Sequence, residues 1–265
     1  MKPYKLLISL FILLLSAGLN AASKSDLAKE KRWREQIEPS LLVGDALSLK
    51  ASGTEFLALF TENTAKQTLG GAIILHGSGV HPAWPDVIEP LRSDLAENGW
   101  HTLSLQMPIL ANEAETKDYE PLFDEVPARI QAGVNFLKSK KINNVVIISH
   151  SLGNIMASYY LVKQKDPVIK AFVAISFGPG IPGKAKMDSY EHLSKITIPT
   201  LDIFGSEDFA RNINTASERK LMAKNAGNKK YKQVKIEGAN HFFSNMDDTL
   251  IKRIRGWLKR YAPKQ

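Results

Sequence analysis

The chain has 265 residues, 44% of them hydrophobic and 23% charged, with a formal net charge of +8 and no cysteine. That length suits one sizeable core and is short for two domains, and the lack of cysteine excludes a disulfide framework and any thiolate-based metal site. The basic balance comes without interleaved aromatic and basic residues, which argues against nucleic acid; it reads as a solvated basic face or as attraction to an anionic membrane or envelope surface.

Residues 1–22 have the three-part build of a secretory signal peptide. Lys2 and Lys5 precede an apolar run over residues 6–15, and a small-residue stretch leads to Ala21 and Ala22, where cleavage is expected. The run is shorter than the roughly 20 residues of a membrane span, so export to the periplasm or beyond is expected, with an uncleaved N-terminal anchor as the alternative. Residues 23–40 are charged and helix-prone, and read as a surface leader that packs onto the main domain, 41–265, through Leu27, Trp33 and Ile37.

The main domain opens with two strand-like stretches, Leu47 alternating with Leu49 and then residues 56–60, separated by Ser52-Gly53, a hairpin signal. Residues 71–75 are a short continuous apolar run, the pattern of a strand buried on both faces of a parallel sheet. From there strands and helices alternate. A helix is expected over residues 90–98, with Pro90 in its first turn and Asn98-Gly99 as its stop. A strand follows at 101–105, then a helix over 122–140 with Val126, Ile130, Val134 and Leu137 at helical spacing. The remaining elements are a strand at 144–148, a helix at 152–164, a strand at 169–177, a short Gly/Pro-rich stretch at 178–183, a strand at 200–204, a helix at 210–226, a strand at 231–236 and a final helix at 247–261. This alternation predicts an α/β fold, a mostly parallel sheet opened by an antiparallel hairpin with helices on both faces.

Within that frame Ser151 stands in Ser149-His150-Ser151-Leu152-Gly153, between a strand and a helix. Small residues two positions to either side are what a nucleophile elbow needs, although Ser149 replaces the usual glycine. A serine hydroxyl needs a base. His241, just past the last predicted strand, is placed to swing over the carboxyl edge of the sheet. An acid must orient the imidazole, and Asp208 is the first choice, with Glu207 and Asp202 as competitors. The negative charge that develops on a substrate oxygen needs backbone donors. The N–H of Leu152 is one candidate, and the N–H of Ser78, in His76-Gly77-Ser78-Gly79, is the other. His81 and Trp84 could wall the pocket, and Met187 and Tyr190, in the region where a cap would sit, could line it.

The order of loop, serine, acid and histidine resembles that of the serine-type α/β-hydrolase superfamily over nearly all of the mature length. The stretch Leu75-His76-Gly77-Ser78-Gly79-Val80-His81-Pro82-Ala83-Trp84-Pro85 further resembles the oxyanion loop of a branch of small bacterial envelope hydrolases. The resemblance implies an α/β-hydrolase fold with a short cap, the triad Ser151, Asp208 and His241, and an oxyanion hole at Ser78 and Leu152. The expected activity is hydrolysis of an ester or related acyl bond in a small-molecule or lipid-like substrate, without metal or cofactor. An amide hydrolase with the same triad and a non-catalytic binding protein on the same fold are the alternatives.

Overall fold

Uninterrupted runs of isoleucine, valine and leucine fill the central strands, and a computed structural model, describing residues 24–262, joins them into one eight-stranded sheet. The expected signal peptide lies outside the described residues. In chain order the strands are β1 (Asp45–Ala51), β2 (Thr54–Thr61), β3 (Gly70–Leu75), β4 (Trp100–Leu105), β5 (Val145–His150), β6 (Ile169–Ile175), β7 (Thr200–Glu207) and β8 (Tyr231–Asn240). Their spatial order is β1-β2-β4-β3-β5-β6-β7-β8. The pairs β1/β2 and β2/β4 are antiparallel, and every later pair is parallel. The expected α/β-hydrolase architecture is therefore present, hairpin included.

The helices are α1 (Leu27–Ile37), α2 (Ile88–Glu97), α3 (Val126–Ser139), α4 (Leu152–Lys163), α5 (Ser189–Leu193), α6 (Ala210–Asn214), α7 (Ala216–Asn225) and α8 (Asp247–Tyr261). Two cores sandwich the sheet, and the period of two along each strand divides the residues between them. Ile73, Leu75, Val145 and Ile147 face Val134 and Leu137 of α3 and Ile155 of α4. Ala72, Ile74, Val146 and Ile148 face Leu91 and Leu95 of α2 and Ile254 and Trp257 of α8. Each such fully buried aliphatic side chain contributes roughly 1.5–3 kcal/mol relative to exposure.

Four elements depart from the sequence expectation. The helix expected from residue 122 starts at Val126, because Thr116–Asp124 is a 3₁₀ segment. It is opened by a reciprocal cap between Glu115 and Asp118 and contains Pro121, which has no N–H to donate. The helix expected over 210–226 is divided at Thr215, whose hydroxyl donates to the carbonyl of Arg211 at 2.6 Å. Strand β8 runs on to Asn240, bent at Gly238 with φ 74° and still paired to Glu207. The leader, finally, is not held by Leu27, which is 42% exposed. Ile37 is buried, but the deeper anchor of α1 is polar: Glu30 accepts from Arg129 Nη1 at 2.9 Å and Nη2 at 3.0 Å, both residues being buried.

Candidate active site

The parallel strands β3, β5, β6, β7 and β8 end on the same edge of the sheet, and the residues next after them are His76, Ser151, Ser176, Asp208 and His241. In open α/β sheets this edge is where ligands bind. Ser151 caps α4 at φ 55° and ψ −123°, a conformation that costs a non-glycine residue about 1–3 kcal/mol and persists only where surroundings enforce it. One enforcing contact is at Gly153. A β-carbon there would lie 2.5 Å from the carbonyl oxygen of His76 and 2.8 Å from that of Leu75, so only glycine fits. The other flank has room. The Ser149 hydroxyl donates to Asn154 Oδ1 at 2.7 Å, and Asn154 Nδ2 donates to the carbonyl of Ile175 at 2.7 Å. Serine in place of the usual glycine thus ties the turn to the first turn of α4.

Ser151 Oγ lies 3.0 Å from His241 Nε2, and His241 Nδ1 lies 2.7 Å from Asp208 Oδ1. This is a hydroxyl, an imidazole and a carboxylate in relay, each within hydrogen-bond reach of the next. Asp208 Oδ1 also accepts from the backbone N–H of Phe209 at 2.6 Å and from Asn212 Nδ2 at 3.0 Å. Burial opposes its ionisation, but the hydrogen bond and charge of His241 outweigh it and hold the carboxyl below the ordinary range. The two competing acids lie elsewhere. Glu207 is exposed, and Asp202 is fully buried, accepting from Arg219 Nε at 2.8 Å and from the Tyr231 hydroxyl at 2.6 Å.

The backbone of His241 is clamped as well. Its carbonyl accepts from the Ser176 hydroxyl at 2.9 Å and from His150 Nε2 at 3.0 Å. His150 is buried and its pKa is depressed to about 4, by burial first and then by His241, so the ring is neutral, and the carbonyl it faces calls for the tautomer protonated on Nε2. Ser176, Asn212 and His150 were not singled out from the sequence. The sequence reading ran the strand on to residue 177 and so hid Ser176, which in the structure directly follows β6 and, like Ser151, has positive φ, 56°.

The expected oxyanion loop packs against this relay. A β-carbon on Gly77 would sit 3.0 Å from Ser151 Cβ. The buried ring of His76 fixes the loop from behind, Nε2 accepting from the Met107 N–H at 2.9 Å and Nδ1 donating to the Gly77 carbonyl at 2.8 Å. Burial lowers its pKa to about 3, so it too is neutral. Ser78 and Leu152 both line the cavity beside Ser151, and Leu152 opens α4, whose first N–H groups have no intrahelical acceptors. The cavity encloses about 120 Å³ and is also lined by Thr116 of the 3₁₀ segment, Ile155, Phe209, Arg211 and Asn212.

His81, Trp84, Met187 and Tyr190 do not line it. His81 is held between Trp33 of α1, ring centroids 5.2 Å apart, and Trp84, 5.5 Å apart. The leader helix thus takes the face of the loop that the sequence reading turned toward substrate. Met187 is fully buried in the core, and Tyr190 is half-buried in α5. The covering element that reaches the cavity is the 3₁₀ segment between β4 and α3, through Thr116.

The sequence pattern of a family of proteins of unknown function, DUF3530, matches residues 5–121 and 110–260. No curated protein matches the chain by sequence. Solved structures do resemble it. The Pyrococcus furiosus esterase Pf2001 superimposes with a TM-score of 0.66 at 17% identity, covering 82% of this chain and 92% of that one. XC6422 from Xanthomonas campestris, an α/β serine hydrolase without lid, gives 0.64 at 12% identity over 84% of this chain and 97% of its own. The acylaminoacyl peptidase of Pyrococcus horikoshii gives 0.65 at 13% identity over 88% of this chain and 44% of that longer one. At these identities the likeness is one of fold.

Proposed function

The chain belongs to the DUF3530 family, and we propose that it is a serine hydrolase that cleaves a carboxylic ester through an acyl-enzyme. The observation that carries this reading is the relay from Ser151 through His241 to Asp208, with the serine on a strained elbow at the carboxyl edge of the sheet. Ser151 Oγ attacks the substrate carbonyl while His241 Nε2 takes its proton. Asp208 holds the imidazole with Nδ1 protonated and offsets the positive charge that forms on it. The backbone N–H groups of Ser78 and Leu152 receive the oxyanion. His241 then passes the proton to the leaving alcohol, and a water activated by the same ring releases the acid.

A cavity of about 120 Å³ beside the serine favours a short acyl or alkyl group over a long chain. An ester is preferred to an amide because a small, partly open site offers little binding surface with which to distort a resonance-stabilised bond. The reaction takes place outside the cytoplasm if residues 1–22 direct export, a point that fractionation and N-terminal sequencing of the mature protein decide.

Labelling by a fluorophosphonate probe, and nitrophenyl ester turnover, test the reading directly. Both are expected in the wild type and absent in Ser151→Ala. A folded wild-type protein that neither labels nor turns over any ester would instead favour a binding protein on this fold.

A further inference from the structure

We infer that Arg211 selects substrates bearing a carboxylate a short distance from the scissile ester. The inference rests on the hydrolase reading and names its substrate class. Arg211 belongs to the short helix that follows Asp208, and its side chain lines the cavity that holds Ser151 and His241. Apart from the imidazole, every other lining side chain is neutral: Ser78, Thr116, Ser151, Ser176 and Asn212 are polar, the rest apolar or glycine.

Arg211 is exposed at the cavity mouth, with its guanidinium laid along the wall. Its Nη2 and Nε lie 3.5 and 3.6 Å from where a β-carbon on Gly178 would stand, so it rests against the cavity wall over a residue that has no side chain. That placement comes without a counter-ion. Among the described residues no carboxylate lies within ion-pair distance of Arg211, and the same holds for the exposed Arg32, Arg253 and Arg260; among these only Arg211 lines the cavity that holds Ser151. The carboxylate of Asp208 makes no ion pair with Arg211; its bonds to His241, to the Phe209 N–H and to Asn212 all fall on Oδ1.

A cation at the wall of a small, neutral, polar cavity is a binding determinant for an anion. The planar fork of arginine matches a carboxylate through two parallel hydrogen bonds, which fixes orientation as well as distance. Both Arg211 and Ser151 line one partly open cavity of about 120 Å³, so the carboxylate and the scissile ester are set a short distance apart. The fitting chemistry is a half-ester of a short dicarboxylic acid, or an ester of a small hydroxy acid. The two differ in whether the charge sits on the acyl or the leaving-group side.

The test compares kcat/KM by pH-stat for monomethyl succinate against methyl butyrate, and for acetoxyacetate against ethyl acetate. The anionic member of one pair is expected to exceed its neutral counterpart, and the pair that shows it tells which side carries the charge. In Arg211→Gln that ratio should fall by about tenfold to a hundredfold, the worth of a charge-assisted hydrogen bond, and Arg211→Lys should retain part of it. Taking the ratio cancels any general loss of activity. Calorimetric binding of monomethyl succinate and of acetoxyacetate to Ser151→Ala, weakened by adding Arg211→Gln, reads the same contact without turnover. Ester turnover with no anionic preference, or a preference untouched by Arg211→Gln, overturns the inference and leaves the hydrolase reading standing. Arg211-dependent binding with no turnover of any ester does the reverse.

Discussion

Phe209 stacks on the imidazole of His241, ring centroids 4.0 Å apart and planes inclined by 18°. The phenyl ring is 51% exposed, an unfavourable placement for an aromatic unless it covers something. What it covers is one face of the histidine, while Phe242 meets the same imidazole edge-on at 5.0 Å. The imidazole is thus fixed by contacts of two kinds, hydrogen bonds in its plane and aromatic rings around it. Phe209→Ala is expected to lower kcat/KM for a neutral ester by about two- to tenfold, the worth of one such ring contact, with Phe209→Tyr close to wild type. Equal loss in both variants would mean that the stacked ring is not what matters.

Asp208 and Glu207 are neighbours in sequence with opposite placement. If Asp208 orients the base, Asp208→Asn should reduce kcat by orders of magnitude, up to about 10⁴-fold by analogy with other triads in which the amide favours the wrong imidazole tautomer. Glu207→Gln changes an exposed side chain and should alter kcat by less than twofold. Steady-state kinetics on the two purified variants separates them. A large loss in Glu207→Gln with little in Asp208→Asn would reverse the assignment.

The grouping of Ser151, Asp208 and His241 was legible in the sequence because each lies at or a few residues past the end of an expected strand, and a parallel sheet delivers all such positions to one edge. The continuous apolar runs at residues 71–75 and 145–148 located the edge beside Ser78 and Ser151. Side-chain direction was not legible. His81 and Trp84 lie close in sequence to Ser78, yet the turn after the loop sets His81 against Trp33 of the leader, with Trp84 packed on His81. The leader helix was legible as a helix but not as an ion-paired one, because its partner Arg129 stands 99 positions away. Thr116 was hidden for a different reason: a 3₁₀ segment has no 3.6-residue apolar period to betray it.

The elbow tolerates serine at one flank and nothing but glycine at the other. Gly153→Ala would push a methyl group to within 2.5 Å of the His76 carbonyl, against backbone that cannot yield without moving the end of β3. Destabilisation of about 1–3 kcal/mol is expected from overpacking of this kind, together with loss of fluorophosphonate labelling. Ser149→Ala removes only the hydroxyl bonded to Asn154, and about 1 kcal/mol should be lost with labelling retained. Urea midpoints of the two variants check the asymmetry.

The leader helix is tied to the body through a buried ion pair, Arg129 to Glu30, with the Ser25 hydroxyl also on Glu30. Arg129 further donates to the carbonyl of Gln106 at 2.9 Å, next to the residue whose N–H holds His76. Removing one partner of a buried pair costs up to about 3–5 kcal/mol because the other charge loses its main partner, here leaving Arg129 only the carboxylate of Glu125 at 3.5 Å, whereas replacing both by apolar residues can be nearly neutral. Glu30→Ala should therefore lower the unfolding free energy more than the double substitution Glu30→Met with Arg129→Met. Additive losses in that cycle would show the pair to be uncoupled.

His76 and His150 make the fold sensitive to acid well above the carboxylate range. Burial holds both neutral, with pKa values of about 3 and about 4 against an ordinary 6.5. In the unfolded chain each gains a proton below pH 6.5, while in the native state neither does until pH 3–4. The unfolded state then binds more protons, so stability rises with pH across that window. It is complete above the unfolded value and lost as pH falls toward the folded one. Each histidine contributes a slope of about 1.4 kcal/mol per pH unit there. Urea unfolding at a series of pH values between 7.5 and 5 should show a falling midpoint below 6.5, with a shallower slope in His150→Gln than in the wild type. A flat stability profile over this range would mean that one or both rings take up protons in the native state, and would remove the reason for treating them as fixed hydrogen-bonding partners of Gly77, Met107 and His241.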